Sequence, residues 1–440
     1  MYFLYSVLTA TGILLLTPYF AVRSFRTAKY RRNLRERFGY VPAEVAARAS
    51  QAEGSIWIHA VSVGEVLAAL PLGRELKRRY PARAIFVSTT TETGQRVAQE
   101  RFDFADGIFY FPLDWNTPVK RAFRAIRPSL VIIVETEIWP NFLRESRRRG
   151  IPVVFVNARI SERSFRRSKL WRRAAGGFFE HVLGDATLFL AQSETDARRL
   201  AGLGAPEDRL IVTGNLKYDV DPPKSTAFGN WLSEQVREQE RWPIVVAGSV
   251  VADEEEAVLA AYDLVQRQWR RALLVLAPRK PDRFDAAAKI AAQDGWNAVR
   301  RSEIDLGRPL DENAEVLLLD SIGELAGLYS IADAVFVGGS LVHAGGHNII
   351  EPAWFGRPPV FGPSMENFRD VAQQFLSEGA GVQVRNGDQL GKTWVQLIHD
   401  AAARDRMGVR AKSLAEKNRG ATARSLKRIA EVLLPDQGVA

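Results

Sequence analysis

Tyr218-Asp219-Val220-Asp221-Pro222-Pro223-Lys224-Ser225 is the stretch on which the architecture turns. Paired prolines fix φ and carry no backbone donor, and Asp and Ser favour turns, so no regular element runs through it. On its N-terminal side, short apolar runs recur at residues 55–58, 84–88, 108–111, 130–134, 153–156 and 187–191. On its C-terminal side the pattern restarts at 244–247, 273–277, 316–319, 334–337 and 360–361. Amphipathic segments of helical period separate the runs. That alternation predicts βα units and a parallel sheet on each side of the turn.

The fold class read from this pattern is α/β, with two Rossmann-like domains facing across a cleft. Ligands of such sheets bind beyond the carboxyl ends of the strands. The expected division is a membrane anchor over 1–22, a first domain over 23–220, a linker over 221–228, a second domain over 229–405 and a helical segment over 406–440. A chain of 440 residues exceeds one comfortable core, which suits two domains. Hydrophobic residues make up 46% and charged residues 25%, so disorder is not the main character of the chain. No cysteine is present, which excludes disulfides and thiolate metal sites.

The net charge of +9 points to an anionic partner: nucleic acid, an acidic membrane surface or an anionic substrate. Residues 2–22 carry no charge, and Arg23, Arg26, Lys29, Arg31, Arg32, Arg35 and Arg37 follow at once. A cleavable signal would place its positive charges before the apolar run. The reversed order predicts an N-terminal anchor with everything after residue 22 cytoplasmic. The basic run suits anionic lipid headgroups. Pro18 leaves open a re-entrant or interfacial helix, and a buried first helix of a soluble domain is the alternative. A single-strand nucleic-acid binder would interleave aromatics with surface Arg and Lys. The tryptophans here lie in scattered motifs, so nucleic acid is not the expected partner.

Four constellations carry the chemistry. His59-Ala60-Val61-Ser62-Val63-Gly64-Glu65 follows the first apolar run, a strand leading through small residues into a helix. Glu65 is either a general base at a desolvated edge or a carboxylate that caps the helix. Val134-Glu135-Thr136-Glu137-Ile138-Trp139-Pro140-Asn141 sets two carboxylates after a buried strand, either as reactive groups or as a structural pair with Arg159. Thr213-Gly214-Asn215-Leu216-Lys217-Tyr218-Asp219 offers a lysine that either meets a leaving phosphate or is solvated.

The fourth runs from Gly338 to Pro352, a strand, a glycine-rich turn and a helix. Its glycines permit close backbone approach, so its N–H groups are expected to cradle a phosphate, with Glu351 placed for ribose hydroxyls. His343 and His347 have the spacing of zinc helices, but two glycines between them argue against a helix, and no third ligand is evident. Pro278-Arg279 and Ile322-Gly323-Glu324 are lesser elements; Arg279 can fork onto phosphate.

Together these segments resemble the Kdo (3-deoxy-D-manno-octulosonic acid) transferases of lipopolysaccharide biosynthesis, glycosyltransferase family 30, whose fold is glycosyltransferase-B. The matching stretches also include Ser88-Thr89-Thr90-Thr91-Glu92-Thr93-Gly94 and Asn157-Ala158-Arg159-Ile160-Ser161, and all stand in family order. The resemblance implies inverting transfer of Kdo from CMP-Kdo to a lipid A precursor. It implies Glu65 as the base and Glu135 and Lys217 as stabilisers of the transition state. Pro278, Arg279, Ile322, Gly323, Glu324, Asn348, Ile349, Ile350 and Glu351 match CMP-binding positions. No cofactor and no metal are expected. The chain departs from the family at Val250-Val251-Ala252-Asp253-Glu254-Glu255, where Thr-His and a glycine are usual, and Ile322 replaces a usual methionine.

Overall fold

A computed structural model describes residues 33–160, 164–166, 177–219 and 225–433, together with Tyr2, Tyr5, Ser6, Thr9 and Thr11. The chain divides into two compact units, Met1–Asp219 with Arg419–Ala440, and Val220–Asn418.

The first unit is built on seven parallel strands: β1 Ser55–His59, β2 Ala84–Thr89, β3 Gly107–Tyr110, β4 Pro128–Val134, β5 Val153–Ala158, β6 Leu188–Ala191 and β7 Leu210–Val212. Their order is β3-β2-β1-β4-β5-β6-β7. The central strands are apolar throughout because helices cover both faces of the sheet. Trp57, Phe86, Val131, Ile133 and Phe155 face one core. Helices Ala43–Gln51, Asn116–Ile126 and Pro140–Arg148 complete that side. Ile56, Ile58, Val87, Ile132 and Val134 face the other, with helix Val63–Arg79. Trp57 is fully buried among Phe109, Phe123 and Phe142, and its indole N–H reaches Ser88 Oγ at 2.7 Å.

The second unit has β8 Ile244–Val250, β9 Leu273–Pro278, β10 Ala298–Arg300, β11 Val316–Leu318, β12 Ala334–Val337, β13 Pro359–Phe361 and β14 Val382–Gln383. These are also parallel, in the order β10-β11-β9-β8-β12-β13-β14. Each sheet reverses its winding once, between β1 and β4 in the first and between β8 and β12 in the second. A crevice opens beyond the carboxyl ends of strands at such a reversal. Eleven of the strands coincide with the apolar runs of the sequence. The three that do not, β7, β10 and β14, are short edge strands.

Several expected boundaries move. Half of the expected linker, 221–224, lies outside the described residues, and Ala227 and Phe228 already belong to helix Ala227–Glu238. The boundary at 405/406 falls inside helix Ala401–Lys417. The helical segment 406–440 therefore does not form one body, because its last helix, Ala421–Leu433, belongs to the first unit. The reason is its buried stripe of Ala421, Leu426 and Ile429, which completes the core around Val66 and Leu72. Asp219 caps that helix, accepting from the backbone N–H groups of Gly420 and Thr422.

The expected anchor over 1–22 lies outside the described residues apart from five positions. Among the described residues no helix is long and apolar enough to cross a membrane. Tyr5 donates to Asp114 Oδ2 at 3.0 Å, and Ser6 donates to Asn141 Oδ1 at 3.1 Å. Arg37, from the basic run, is tied to the carbonyl of Thr90 at 2.7 Å and lies over the Tyr110 ring.

Candidate active site

Two sets of sequence-predicted residues gather, one at each winding reversal. In the first unit, β1 ends at His59 and helix Val63–Arg79 starts four residues later. Glu65 turns back from the first turn of that helix. Its Oε2 accepts the Val61 N–H at 2.7 Å, and its Oε1 accepts the Ser62 hydroxyl at 2.8 Å. Burial pushes its carboxyl up to about 7, and the charges of Glu135 and Glu137 add to the rise. Capping and an elevated basicity thus coexist in one side chain.

The Ser88–Gly94 stretch buttresses this arrangement. Thr91 donates both its N–H and its hydroxyl to the carbonyl of Val61, the residue whose N–H holds Glu65. A Cβ on Gly94 would stand 3.0 Å from that carbonyl and 2.8 Å from Thr91 Oγ1, so only glycine fits without displacement. His59 is fully buried and stacked on Phe111 at 3.8 Å, with Nδ1 at 3.0 Å from Ser88 Oγ. Burial lowers its pKa to about 3 and keeps it neutral. Its part is structural.

At the end of β4, Glu135 adopts φ +59, a left-handed conformation that costs a non-glycine residue energy and is retained where the surroundings over-determine it. Asn157, at the end of β5, has φ +55. Glu135 Oε2 accepts from Arg159 Nε at 2.7 Å, and its Oε1 lies 3.3 Å from Lys217 Nζ. The structural pair with Arg159 read from the sequence is present, and Glu135 also meets the lysine. Lys217 is placed by a short 3-10 turn, Leu216–Tyr218, in which Asn215 Oδ1 accepts the Lys217 N–H and Asn157 Oδ1 accepts the Leu216 N–H. Its side chain is 6% exposed, so it is not a solvated lysine. Glu137 makes no hydrogen bond among the described residues, and burial together with Glu135 pushes its carboxyl to about 7.

In the second unit, the glycine-rich turn differs from expectation. Glu254 is fully buried and accepts the N–H groups of Gly339, Ser340 and Leu341 at 2.7, 2.8 and 2.8 Å, and that of Val251 at 3.1 Å. The expected phosphate cradle is therefore filled by a carboxylate of the chain's own. The glycines serve close approach instead: a Cβ on Gly338 would lie 2.5 Å from the carbonyl oxygen of Ser249. Glu254 stands within the stretch that departs from the family, and no feature of spacing marks it out among four neighbouring acids.

The groups that remain available lie alongside. Asn348 Nδ2 is 3.3 Å from Glu351 Oε1, and burial raises the Glu351 carboxyl while Arg279 acts to lower it. Arg279 follows Pro278 at the end of β9, with its N–H on the Val250 carbonyl. Its exposed guanidinium has no hydrogen-bond or ion-pair partner among the described residues. Ile349 and Ile350 are fully buried and seat the short helix that carries Glu351. Leu325 and Tyr329 pack over Gly248, which puts the preceding Ile322-Gly323-Glu324 turn beside the end of β8. Ile322 is 81% exposed, and Gly323 has φ +91 with open space around it. Glu324 is held by Arg301 in a forked pair at 3.0 and 3.1 Å, so its side chain is committed to structure.

His347 packs on Gly339, and burial with Arg279 lowers its pKa to about 4. Among the described residues no group of three or more His, Asp or Glu is disposed to hold a metal ion.

Comparison with known proteins agrees with this geometry. A family model described as 3-deoxy-D-manno-octulosonic-acid transferase (kdotransferase) matches residues 32–220. The chain is 34% identical to the 3-deoxy-D-manno-octulosonic acid transferase of Haemophilus influenzae over 424 residues, 96% of this chain and 95% of that one. It is 31% identical to the 3-deoxy-D-manno-octulosonic acid transferase of Chlamydophila psittaci over 382 residues, 86% and 84% of the two chains. Among solved structures, S. aureus MnaA with UDP is similar at a TM-score of 0.52 and 13% identity, covering 88% of this chain and 98% of that one. That likeness concerns fold alone. Motif order, strand-end geometry and full-length similarity converge, and the chain belongs to the 3-deoxy-D-manno-octulosonic acid transferases, a family of glycosyltransferases.

Proposed function

We propose that this enzyme transfers Kdo from CMP-Kdo to a hydroxyl of the lipid A precursor lipid IVA in lipopolysaccharide synthesis, with inversion at the anomeric carbon. The observation that carries the reading is Glu65, enclosed at a winding reversal with its carboxyl raised to about 7. A base of that pKa is about half ionised at neutral pH and more basic than an ordinary carboxylate, which suits it to accept a proton in the transition state. Glu65 takes the proton of the acceptor hydroxyl as its oxygen bonds to the anomeric carbon. The bond from that carbon to the CMP phosphate oxygen breaks, and CMP leaves with the electron pair.

Lys217, with Glu135 and Arg159 fixing its position, supplies positive charge for the developing transition state. Arg279 meets the CMP phosphate, Asn348 and Glu351 take ribose hydroxyls, and the open backbone of Ile322-Gly323 borders the nucleotide. These cations and N–H groups carry the charge of the leaving group in this reading, with no metal and no cofactor assigned. The acceptor's acyl chains stay in the bilayer. The N-terminal segment therefore serves as an anchor that holds the enzyme at the cytoplasmic face of the inner membrane, against an anionic lipid surface.

Purified protein given CMP-Kdo generated in situ and tetraacylated acceptor should release CMP and form the Kdo-bearing product. A folded enzyme stabilised by CMP, and not by UDP or GDP, that forms no such product would refute the assignment.

A further inference from the structure

At the end of the basic run, helix Leu34–Arg37 and the turn behind it turn three apolar side chains outward. Leu34, Phe38 and Tyr40 are 48%, 39% and 50% exposed. Beside them lies a hollow of about 400 Å³ lined by Gly39, Tyr40, Val41, Arg121, Arg124 and Ala125. The Arg121 guanidinium lies over the Tyr40 ring at 4.5 Å, and among the described residues its one hydrogen bond is to the Phe38 carbonyl, at 3.4 Å. Arg35 lies 6.0 Å from the centroid of the same ring. Neither Arg35, Arg121 nor Arg124 has a carboxylate partner among the described residues. The acids of this stretch, Glu36 and Glu44, border a different hollow, and Glu36 is engaged by the Tyr110 N–H at 2.7 Å.

Apolar side chains rimmed by unneutralised guanidiniums match the boundary of an anionic bilayer. Aromatic and aliphatic groups enter the headgroup layer there, while arginines meet phosphate. A soluble surface rarely leaves such a patch uncovered. The patch also continues in sequence from the apolar stretch 2–22 and its basic flank. We propose that Leu34, Phe38 and Tyr40, with Arg35, Arg121 and Arg124, form a second membrane-docking surface whose hollow takes the phosphate headgroup of an anionic phospholipid. This rests on the membrane placement proposed above and adds to it a named contact on the first unit. Docking at two points, anchor and patch, orients that unit on the bilayer instead of leaving it on a swivel.

The chain has no cysteine, so single labels can be placed cleanly. A polarity-sensitive fluorophore is attached to full-length Tyr40→Cys or Leu34→Cys. The control label is Arg78→Cys, a 70% exposed side chain on the opposite face of the sheet. On adding phosphatidylglycerol vesicles, the Tyr40 and Leu34 labels should shift to the blue and brighten severalfold. The response should be weaker with phosphatidylcholine, and the Arg78 label should not respond. Adding Arg121→Ala and Arg124→Ala should abolish the response while the chain still floats with the vesicles. Silent Tyr40 and Leu34 labels on a floating chain would overturn the docking surface and leave the anchor standing. An equal response to inorganic phosphate without lipid would overturn it in favour of a soluble-anion site. A chain that does not float at all would overturn both.

Discussion

Glu65, Glu135 and Glu137 share one enclosed corner, with Lys217 and Arg159 on Glu135 and, among the described residues, no hydrogen-bond partner on Glu137. The arrangement sets the pH response. Glu65 and Glu137 both have folded-state values near 7, above the ordinary 4.5, so the folded chain binds more protons than the unfolded one across that window. Stability from these two groups is fully present below about pH 4.5 and falls as pH rises toward 7. Glu137→Gln should therefore be more stable than the parent at pH 8, by about 1–2 kcal/mol in denaturant titrations. It should also move the acidic limb of the pH–rate profile downward, because the Glu137 charge helps raise Glu65. An unmoved limb would uncouple the two. Glu65→Gln should abolish turnover while CMP still raises the melting temperature; retained turnover would remove Glu65 from the role of base. At this scale the sequence was informative about which residues matter and ambiguous about how. It showed an acid in a first helical turn, which both capping and catalysis require, and only burial and neighbouring charge distinguish a basic carboxylate from a plain cap.

Strand cores and the loops that end them were legible because strands buried on both faces are nearly continuous apolar runs, as in residues 130–134. The edge strands β7, β10 and β14 were not, since two or three residues with half-exposed flanks carry no such signal. The glycine-rich turn after β12 shows the other limit. Its glycines announced close approach correctly, but the occupant of its N–H groups, Glu254, comes from a loop some 85 residues earlier and becomes visible only when β8 and β12 pair. Glu254→Ala should leave four N–H groups, two of them buried and two half-buried, without partners and destabilise the second unit by about 3–5 kcal/mol. Thermal unfolding would show this as a lowered transition that CMP no longer raises to the parent value. Glu254→Gln should recover part of the loss, since its amide oxygen still accepts. Equal stability of Glu254→Ala and the parent would mean that the turn has another acceptor.

The chain leaves the first unit at Asp219 and returns to it at Arg419, so both of its stretches build one core. This return was hidden in the sequence because helices Ala401–Lys417 and Ala421–Leu433 are both amphipathic and basic, and nothing in their pattern says which core each serves. The last helix also reaches the active corner. Arg424 donates to the Thr213 carbonyl at 2.8 Å, and Ser425 donates to Thr213 Oγ1 at 3.2 Å, just ahead of the turn that carries Lys217. Removing residues 419–440 strips the burial of Leu426 and Ile429, each worth about 1.5–3 kcal/mol, and loosens that turn. Turnover should fall sharply while CMP still stabilises the second unit, as read by activity assay and thermal shift side by side. Parent-like turnover of the shortened chain would separate the helix from Lys217. The same return has a consequence for biosynthesis. Emerging from the ribosome, the second unit is complete once residue 418 is out, whereas the first lacks the helix Ala421–Leu433 until residue 433 has followed. The unit that emerges first is thus the last to become whole, and a chaperone would find its unfinished face exposed for most of that interval.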